Sequence, residues 1–143
     1  MLDSDEIREL LGARSYERED RDRFYEALGS LAGLIANQGI VVLVAATAPR
    51  RAHRERARAA LGAGGRFVEV WVKTPLSVCE ARDPKGLYAR ARRGGANQLP
   101  GVGVAYEPPV APEVVADGGL DDSVAEAIER QLERPQTWDA GRE

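Results

Sequence analysis

The apolar residues of the first third of the chain recur at helical spacing. Between residues 17 and 37 they stand at steps of four, three and four, at Phe24, Leu28, Leu31 and Ile35. This is the period of one face of an α-helix, so we predict a helix across this range. Gly39 follows it, and glycine is favoured there because many helices end in a left-handed residue.

A run without alternation comes directly afterwards. Ile40 to Ala46 are seven apolar residues, a pattern typical of a strand buried on both faces in a parallel sheet covered by helices. Further strands are predicted at residues 67–72 and 113–116, and Leu2 is predicted to end another. Because helices and strands alternate, the order indicates an α/β fold with a parallel sheet flanked by helices. Shorter helices are predicted from Asp3 to Leu11, over residues 50–61, after a Thr74 cap, at residues 88–92 and around Val124 to Leu132.

Residues 83–112 differ from the rest because they are rich in glycine and proline. A connection of this length in a compact domain is typical of a lid or a binding loop. Its basic residues, Lys85, Arg90, Arg92 and Arg93, suit a lid that closes over polyphosphate. We therefore predict one domain over residues 1–134, with a lid at 83–112, and a flexible tail at 135–143.

Composition and charge exclude several classes of function. The chain has 143 residues and a net charge of -3, which does not favour binding to nucleic acid or to acidic membranes. Its apolar runs are far shorter than the roughly 20 residues of a membrane helix, so we expect a cytoplasmic protein. With Cys79 and His53 the only residues of their kinds, no His/Cys metal site is expected. We expect His53 to be solvated and Cys79 to be a small buried helix residue.

Charged residues cluster where the first predicted strand ends. Asp3 and Asp5 follow Leu2, at the carboxyl end of a strand, where α/β sheets bind ligands. Helix capping is the alternative role for the two aspartates.

Several motifs together identify a family resemblance. Residues 78–88 are V-C-E-A-R-D-P-K-G-L-Y, residues 2–8 are L-D-S-D-E-I-R, and Glu19-Asp20-Arg21 and Tyr106-Glu107-Pro108 stand in the corresponding order. From Leu2 to about Leu132 the chain resembles the adenylylsulfate (APS) kinase family, a group of P-loop nucleotide kinases. The resemblance implies transfer of the ATP γ-phosphate to the 3'-hydroxyl of APS, which gives PAPS in sulfate assimilation.

The resemblance also implies roles for individual residues. Asp5 would accept or orient the proton of the hydroxyl, and Asp3 would assist through magnesium and water. Arg8 and Arg21 would contact the phosphosulfate, an oxyanion that a guanidinium holds by two hydrogen bonds, and a solvated helix face is the alternative role for the two arginines. Tyr16 would stack on the adenine. ATP and Mg²⁺ are the implied cofactors, a small nucleotide is the implied partner, and a homodimer is the implied assembly.

Other positions match the family only in part. Arg82 and Lys85 resemble residues of the lid and of the ATP side. Phe24 stands where the family has asparagine, Ala48 where it has serine, and Leu99 where its lid has phenylalanine. All three of these changes fall in the acceptor site, so a related kinase for another nucleotide or sugar hydroxyl is an alternative hypothesis.

One family motif is absent from the sequence. No G-x-x-x-x-G-K-[ST] loop, which holds ATP phosphates, occurs among the 143 residues. The family strand order 2-3-1-4-5 places the strand before that loop at the centre of the sheet. We therefore expect a sheet that lacks its central strand 1 and a truncated chain, short of roughly 30 residues, the length of a βα unit, that is inactive as given. A non-catalytic protein that binds a nucleotide or a partner without a P-loop is a further alternative.

Overall fold

The structure is a computed structural model that describes residues 1–62, 64–94, 98–118 and 122–133. The predicted tail at 135–143 lies outside these residues. Helices and strands alternate through most of the chain, as predicted. The elements are β1 (Leu2–Asp3), α1 (Ser4–Leu10), α2 (Arg18–Ala36), β2 (Val44–Ala45), α3 (Arg51–Ala60), β3 (Val70–Val72), α4 (Leu76–Arg82), α5 (Leu87–Arg92), β4 (Val114–Ala116) and α6 (Asp122–Glu133).

The four strands form two parallel pairs. β1 pairs with β2, with Leu2 opposite Val44, and β3 pairs with β4, with Val70 opposite Val114. Helices connect the paired strands, as parallel pairing requires. Within the described residues β2 and β3 do not pair with each other. The α/β fold is therefore confirmed. The two pairs are those expected from the strand order 2-3-1-4-5 when strand 1 is absent, since strand 2 then pairs with strand 3 and strand 4 with strand 5.

The prediction of a long buried strand at residues 40–46 is wrong. Only Val44 and Ala45 pair, while Ile40 is 56% exposed, Val41 78% and Leu43 56%. A strand is buried on both faces only in a sheet wide enough for helices to cover both faces, and the β1–β2 pair has two strands. The apolar run of the sequence therefore lies largely at the surface of the structure.

The start of α4 also differs from the prediction. Pro75 rather than Thr74 is the residue before the helix, and it makes no side-chain cap. The Thr74 hydroxyl instead donates to the carbonyl of Asp117 at 3.3 Å. Thr74 therefore ties α4 to the end of β4. None of the described helices is long and apolar enough to cross a bilayer.

The largest packing contact lies between α2 and α3. A Cβ at Gly33 would stand 2.9 Å from the carbonyl oxygen of Ala60, and one at Gly29 would stand 3.0 Å from Cα of Ala57. The two glycines therefore let the helix backbones approach closely. The core beneath them consists of Phe24, Tyr25 and Leu28, with Leu2, Ile7, Ala13 and Ala48 packed against it.

His53 is buried, so the prediction that it is solvated is wrong. It is 2% exposed and its Nε2 lies 2.7 Å from Oδ1 of Asp22, whose other oxygen accepts a hydrogen bond from Arg50 at 2.6 Å. The ring of Tyr25 lies 4.6 Å from the imidazole, centroid to centroid. His53 occupies the face of α3 that packs on α2, a placement that its arginine-rich neighbours in sequence conceal.

The His53 cluster predicts a fall in stability with acid. Burial lowers the pKa of His53 below its ordinary value of 6.5, although Asp22 opposes the shift. As the pH falls below 6.5, the imidazole of His53 therefore becomes protonated in the unfolded chain before it does in the folded chain. The free energy of unfolding decreases as a result. Burial alone would raise the pKa of Asp22, but hydrogen bonds from His53 and Arg50 hold it below 3.8. Protonation of Asp22 therefore lowers the free energy of unfolding only at more acidic pH.

Urea unfolding at pH 7 and pH 5.5 measures this effect. We expect the wild-type chain to lose stability between the two values and His53→Gln to lose much less. His53 is the one histidine of the sequence, so no other imidazole titrates in this interval. Equal losses in the two proteins would contradict the prediction.

Candidate functional site

Asp3 ends β1 and caps α1. Its Oδ1 accepts hydrogen bonds from the amides of Asp5 at 2.8 Å and Glu6 at 3.4 Å. These bonds satisfy amide groups that have no partner inside the helix. Capping is therefore a role that Asp3 fills in this structure, and it fixes Asp5 at the start of α1.

Asp5 lies beside a residue of the lid. Its Oδ2 accepts a hydrogen bond from Nζ of Lys85 at 2.6 Å, and both side chains are largely exposed. The bond to Asp5 raises the pKa of Lys85. Two of the predicted site residues, 80 positions apart in sequence, thus meet at the carboxyl end of β1.

Arg8 is enclosed by aromatic rings. Its guanidinium carbon lies 3.8 Å from the ring centroid of Phe24, 4.5 Å from that of Tyr16 and 5.8 Å from that of Tyr25. Nη1 also donates to the carbonyls of Ala13 and Ser15, at 3.2 and 3.3 Å. Arg8 is only 6% exposed, so much of its binding capacity is already used inside the protein. We name these residues (Arg8, Tyr16, Phe24 and Tyr25) the arginine box.

Arg21 borders the arginine box and keeps an unused donor. It is 5% exposed, and its Nη2 donates to the carbonyl of Gln98 at 2.9 Å. Nη1 is buried and has no hydrogen-bond partner in the part of the chain that the structure describes. Because an unpaired buried charged donor is costly, this atom points to an anionic ligand. The guanidinium also lies 5.9 Å from the Tyr16 ring.

The lid reaches the site through Gln98. Besides the contact with Arg21, its side-chain amide donates to the carboxylate of Glu17 at 2.7 Å. Leu99, predicted to face the ligand, is half-buried, and its carbonyl accepts hydrogen bonds from Val102, Gly103 and Val104. Leu99 therefore forms a turn next to the contact, and its role in binding stays a prediction.

Ala48 has an unusual backbone conformation. Its φ of 36° lies in the left-handed region, which costs free energy in a residue that carries a Cβ. Its carbonyl accepts a hydrogen bond from Nη1 of Arg54 at 2.7 Å. Since Ala48 also packs against the Phe24 cluster, it stands close to the arginine box, and its role in binding the acceptor stays a prediction.

Arg82 lies apart from these residues. Its Nη1 donates to the carbonyl of Gly118 at 2.9 Å, at the end of β4, and no contact with Asp5 or Lys85 is present among the described residues. The structure therefore brings together Asp3, Asp5 and Lys85 in one group and Arg8, Tyr16, Arg21, Phe24 and Ala48 in another.

Three further residues that shape the site were not predicted from the sequence. Tyr25 completes the arginine box, and Arg54 holds Ala48. Asp83 accepts hydrogen bonds from the amides of Tyr88 and Ala89, which lower its pKa and fix the start of α5 after Lys85. The Asp83-Pro84 pair is a turn signal that could have indicated the cap, whereas Arg54 stands among too many arginines to be singled out.

The described residues contain no group of three or more His, Cys, Asp or Glu side chains that could hold a metal ion. Asp3 and Asp5 nevertheless stand together at the end of β1. Mg²⁺ is usually bound by one or two carboxylates with water and substrate phosphates. The two aspartates therefore fit a metal that arrives with its nucleotide.

Comparisons with known proteins agree with this architecture. A family model described as adenylylsulphate kinase matches residues 1–117. The adenylyl-sulfate kinase of Shewanella halifaxensis is 44% identical over 123 residues, 85% of this chain and 60% of the relative. That of Vibrio cholerae is 40% identical over 144 residues, 96% of this chain and 66% of the relative.

A solved structure gives the same result. The Mycobacterium tuberculosis APS kinase in complex with AMPPNP and APS superposes with a TM-score of 0.82 at 39% identity, over 93% of this chain and 79% of that one. The fold is thus that of the P-loop kinase class of α/β proteins. The chain belongs to the adenylylsulphate kinase family, and it spans about 60% of the length of the Shewanella relative.

Proposed function

We propose that the chain is the acceptor-binding part of an APS kinase-like phosphotransferase, an enzyme that moves the γ-phosphate of ATP to the 3'-hydroxyl of APS. The observation that carries this proposal is the buried Nη1 of Arg21, which has no partner among the described residues. The phosphosulfate of APS is an anion that would supply one. Membership in the family and the APS held by the Mycobacterium relative support the same ligand.

The arginine box provides the rest of the acceptor site. Tyr16 is 46% exposed, so its ring is accessible to an adenine that would stack on it. Arg8 lies behind that ring and adds positive charge close to Arg21. We infer that Arg21 binds the phosphosulfate directly. Arg8 stabilises the packing of the arginine box and attracts the anion mainly through its positive charge.

Asp5 is the group that would receive or orient the proton of the acceptor hydroxyl. It follows the capping residue at the end of β1, and its carboxylate is 64% exposed. Lys85 neutralises Asp5 in the structure and would turn to the ATP phosphates when the nucleotide enters. Phosphoryl transfer depends chiefly on such positioning and charge stabilisation.

ATP and Mg²⁺ would meet the acceptor at the same edge. Mg²⁺ bound through Asp3 and Asp5 would neutralise charge on the transferred group. The sequence has no G-x-x-x-x-G-K-[ST] loop, so we infer that catalysis requires a phosphate-binding loop from outside these 143 residues. On the basis of the family we also propose a cytoplasmic location and a homodimer.

Phe24 supports a second candidate function. It occupies the position of the family asparagine and stacks on Arg8 at 3.8 Å, where it cannot form the hydrogen bonds of an amide. A kinase for another nucleotide or a sugar hydroxyl fits this change. A protein that binds a nucleotide without catalysis is the third candidate, since it needs no phosphate-binding loop.

One experiment separates the candidates. PAPS formation is measured with ATP, Mg²⁺ and APS, for the chain as given and for a fusion that carries the upstream segment of the Shewanella halifaxensis relative. APS binding is measured beside it by calorimetry. We expect the chain alone to bind APS without turnover and the fusion to form PAPS.

Replacing the loop lysine in the fusion provides the matched control and should abolish turnover. A fusion that hydrolyses ATP but ignores APS would favour the second candidate. A fusion that binds nucleotide without turnover would favour the third.

A further inference from the structure

Arg54 of α3 joins three separate segments of the chain. Nε donates to Oε1 of Glu69 at 2.6 Å, Nη1 to the carbonyl of Ala48 at 2.7 Å, and Nη2 to the carbonyl of Glu107 at 2.7 Å. Its side chain is only 12% exposed. One guanidinium thus satisfies acceptors on the loop after β2, before β3 and at the end of the lid.

The first of these segments belongs to the acceptor site. Ala48 has a φ of 36°, a conformation that persists only when its surroundings enforce it. Arg54 holds its carbonyl, and Ala48 packs against the cluster that Tyr25 forms with Phe24 and Leu28. Because Tyr25 belongs to the arginine box, the position of Ala48 is coupled to the surface that would receive APS.

The segment at Glu107 is the point where the lid returns to the domain. The amide of Glu107 donates to the carbonyl of Pro49 at 2.8 Å, and the Glu107 carboxylate accepts a hydrogen bond from the amide of Arg51 at 2.8 Å. The Tyr106 ring lies 5.6 Å from the Arg54 guanidinium. Pro49 is fully buried, so the attachment is made to a fixed part of the domain.

An earlier residue of the same lid, Gln98, contacts the acceptor site. Gln98 accepts the hydrogen bond from Arg21, nine residues before Glu107 in the sequence. Arg54 therefore holds one end of the 98–107 segment, while the other end lies on the guanidinium that is proposed to bind the phosphosulfate.

The geometry of the guanidinium is essential to this link. Three acceptors in three directions are met by the planar fork of arginine, whereas an ammonium on a flexible stem does not hold all three at once. The carboxylate of Glu69 balances the charge. Lysine at this position would keep the charge and lose the connection.

We propose that Arg54 is a positioning residue that couples the end of the lid to the acceptor site by holding Ala48 and Glu107 together. The choice of APS as the ligand rests on the proposed function. The coupling itself rests on the hydrogen bonds that Arg54 makes in the structure. Arg54 does not touch the reacting atoms in this arrangement. It acts through Ala48, Tyr25 and Glu107.

Arg58→Lys is the matched control for Arg54→Lys. Arg58 lies one turn further along α3, pairs with Glu113 at 2.8 Å and lies 4.5 Å from the Phe67 ring. It touches neither Ala48 nor Glu107 among the described residues. Arg58 is more exposed, at 43%, and also lies 3.9 Å from the carboxylate of Glu69. Both substitutions therefore remove an arginine that is paired with Glu69 from one helix, but only Arg54→Lys removes the contacts with Ala48 and the lid.

The test measures amide hydrogen exchange at Arg51 and Glu107, APS affinity and thermal stability in the 143-residue chain. We expect Arg54→Lys to exchange at both amides about tenfold faster than wild type and to bind APS about tenfold more weakly. Arg58→Lys should change neither quantity, and it should lower the melting temperature less than Arg54→Lys because Arg58 is more exposed. Glu107→Ala removes the carboxylate that accepts from the Arg51 amide but keeps the carbonyl that Arg54 holds, so it should speed exchange at Arg51 and leave exchange at Glu107 and APS affinity close to wild type.

Exchange rates in Arg54→Lys equal to those in Arg58→Lys would overturn the proposal. Faster exchange with unchanged APS affinity would overturn the coupling to the acceptor site. If wild type binds no APS, the proposed function fails, and the exchange comparison still decides whether Arg54 holds the lid because it requires no ligand.

Discussion

Replacing Arg21 with methionine is expected to lower the affinity for APS about a hundredfold, because this side chain holds a buried donor that has no partner among the described residues. A hydrogen bond to a charged group contributes about 1.5–3 kcal/mol, and a hundredfold change in affinity is about 2.7 kcal/mol. Arg21 is 5% exposed, so water screens its interaction with an anion only weakly. Calorimetric titration of the chain with APS measures the loss.

Arg23→Met controls for the loss of a positive charge on α2. The side chain of Arg23 is 75% exposed and pairs with Glu19 at 3.7 Å and Asp20 at 3.9 Å. Exposed pairs of this kind contribute little, so its removal should leave APS affinity within about twofold. If the two variants lost affinity equally, binding would depend on net charge and the proposed site would be wrong.

Arg8→Met distinguishes the two arginines of the site. Arg8 packs against three aromatic rings and bonds to the carbonyls of Ala13 and Ser15, so its removal should lower the free energy of unfolding as well as APS affinity. Arg21→Met should affect affinity far more than stability, since one of its donors has no partner to lose. Urea unfolding of both variants provides the comparison.

Replacing Asp5 with asparagine is expected to lower the rate of PAPS formation by about 10²–10⁴, the usual contribution of a positioned acid or base. Asparagine keeps the shape of the side chain and its hydrogen-bonding capacity but cannot take up a proton. The cap of α1 should survive, because the side chain of Asp3 makes it. The rate is measured in the fusion that supplies the phosphate-binding loop, and APS affinity should stay within about threefold.

Glu9→Gln removes one carboxylate from the same helix at an exposed position and should leave the rate unchanged. Lys85→Met adds a second test. It removes the partner of Asp5 and should weaken ATP binding more than APS binding if Lys85 moves to the phosphates. A normal rate in Asp5→Asn would contradict the role proposed for this carboxylate.

Local signals in the sequence were sufficient for much of the fold. The helical period through Phe24 and Leu28 predicts α2, and Asp3 after Leu2 predicts the cap of α1. Alternation of helices and strands predicts parallel pairing, which the register of Leu2 with Val44 shows. Each of these depends on neighbours within a few residues, so a sequence pattern records it directly.

Positions with several possible environments could not be assigned in this way. Ile40 to Leu43 have the composition of a buried strand and lie exposed, because burial depends on the neighbours that a strand finds. His53 stands among arginines and is buried, since one face of α3 packs against α2. Arg54 differs from the other arginines of α3 only in what surrounds it.

Hydrophobic period, capping chemistry and motif order are properties of the chain, so they were enough to indicate the α/β class, the family and the residue types available for anion binding. The folded structure was needed to show that Lys85 meets Asp5 and that Arg8 is enclosed by rings. It was also needed to show that Arg21 keeps a donor without a partner among the described residues. Those facts depend on contacts between segments as many as 80 residues apart, and packing, rather than residue type, determines which of two similar arginines stays free for a ligand.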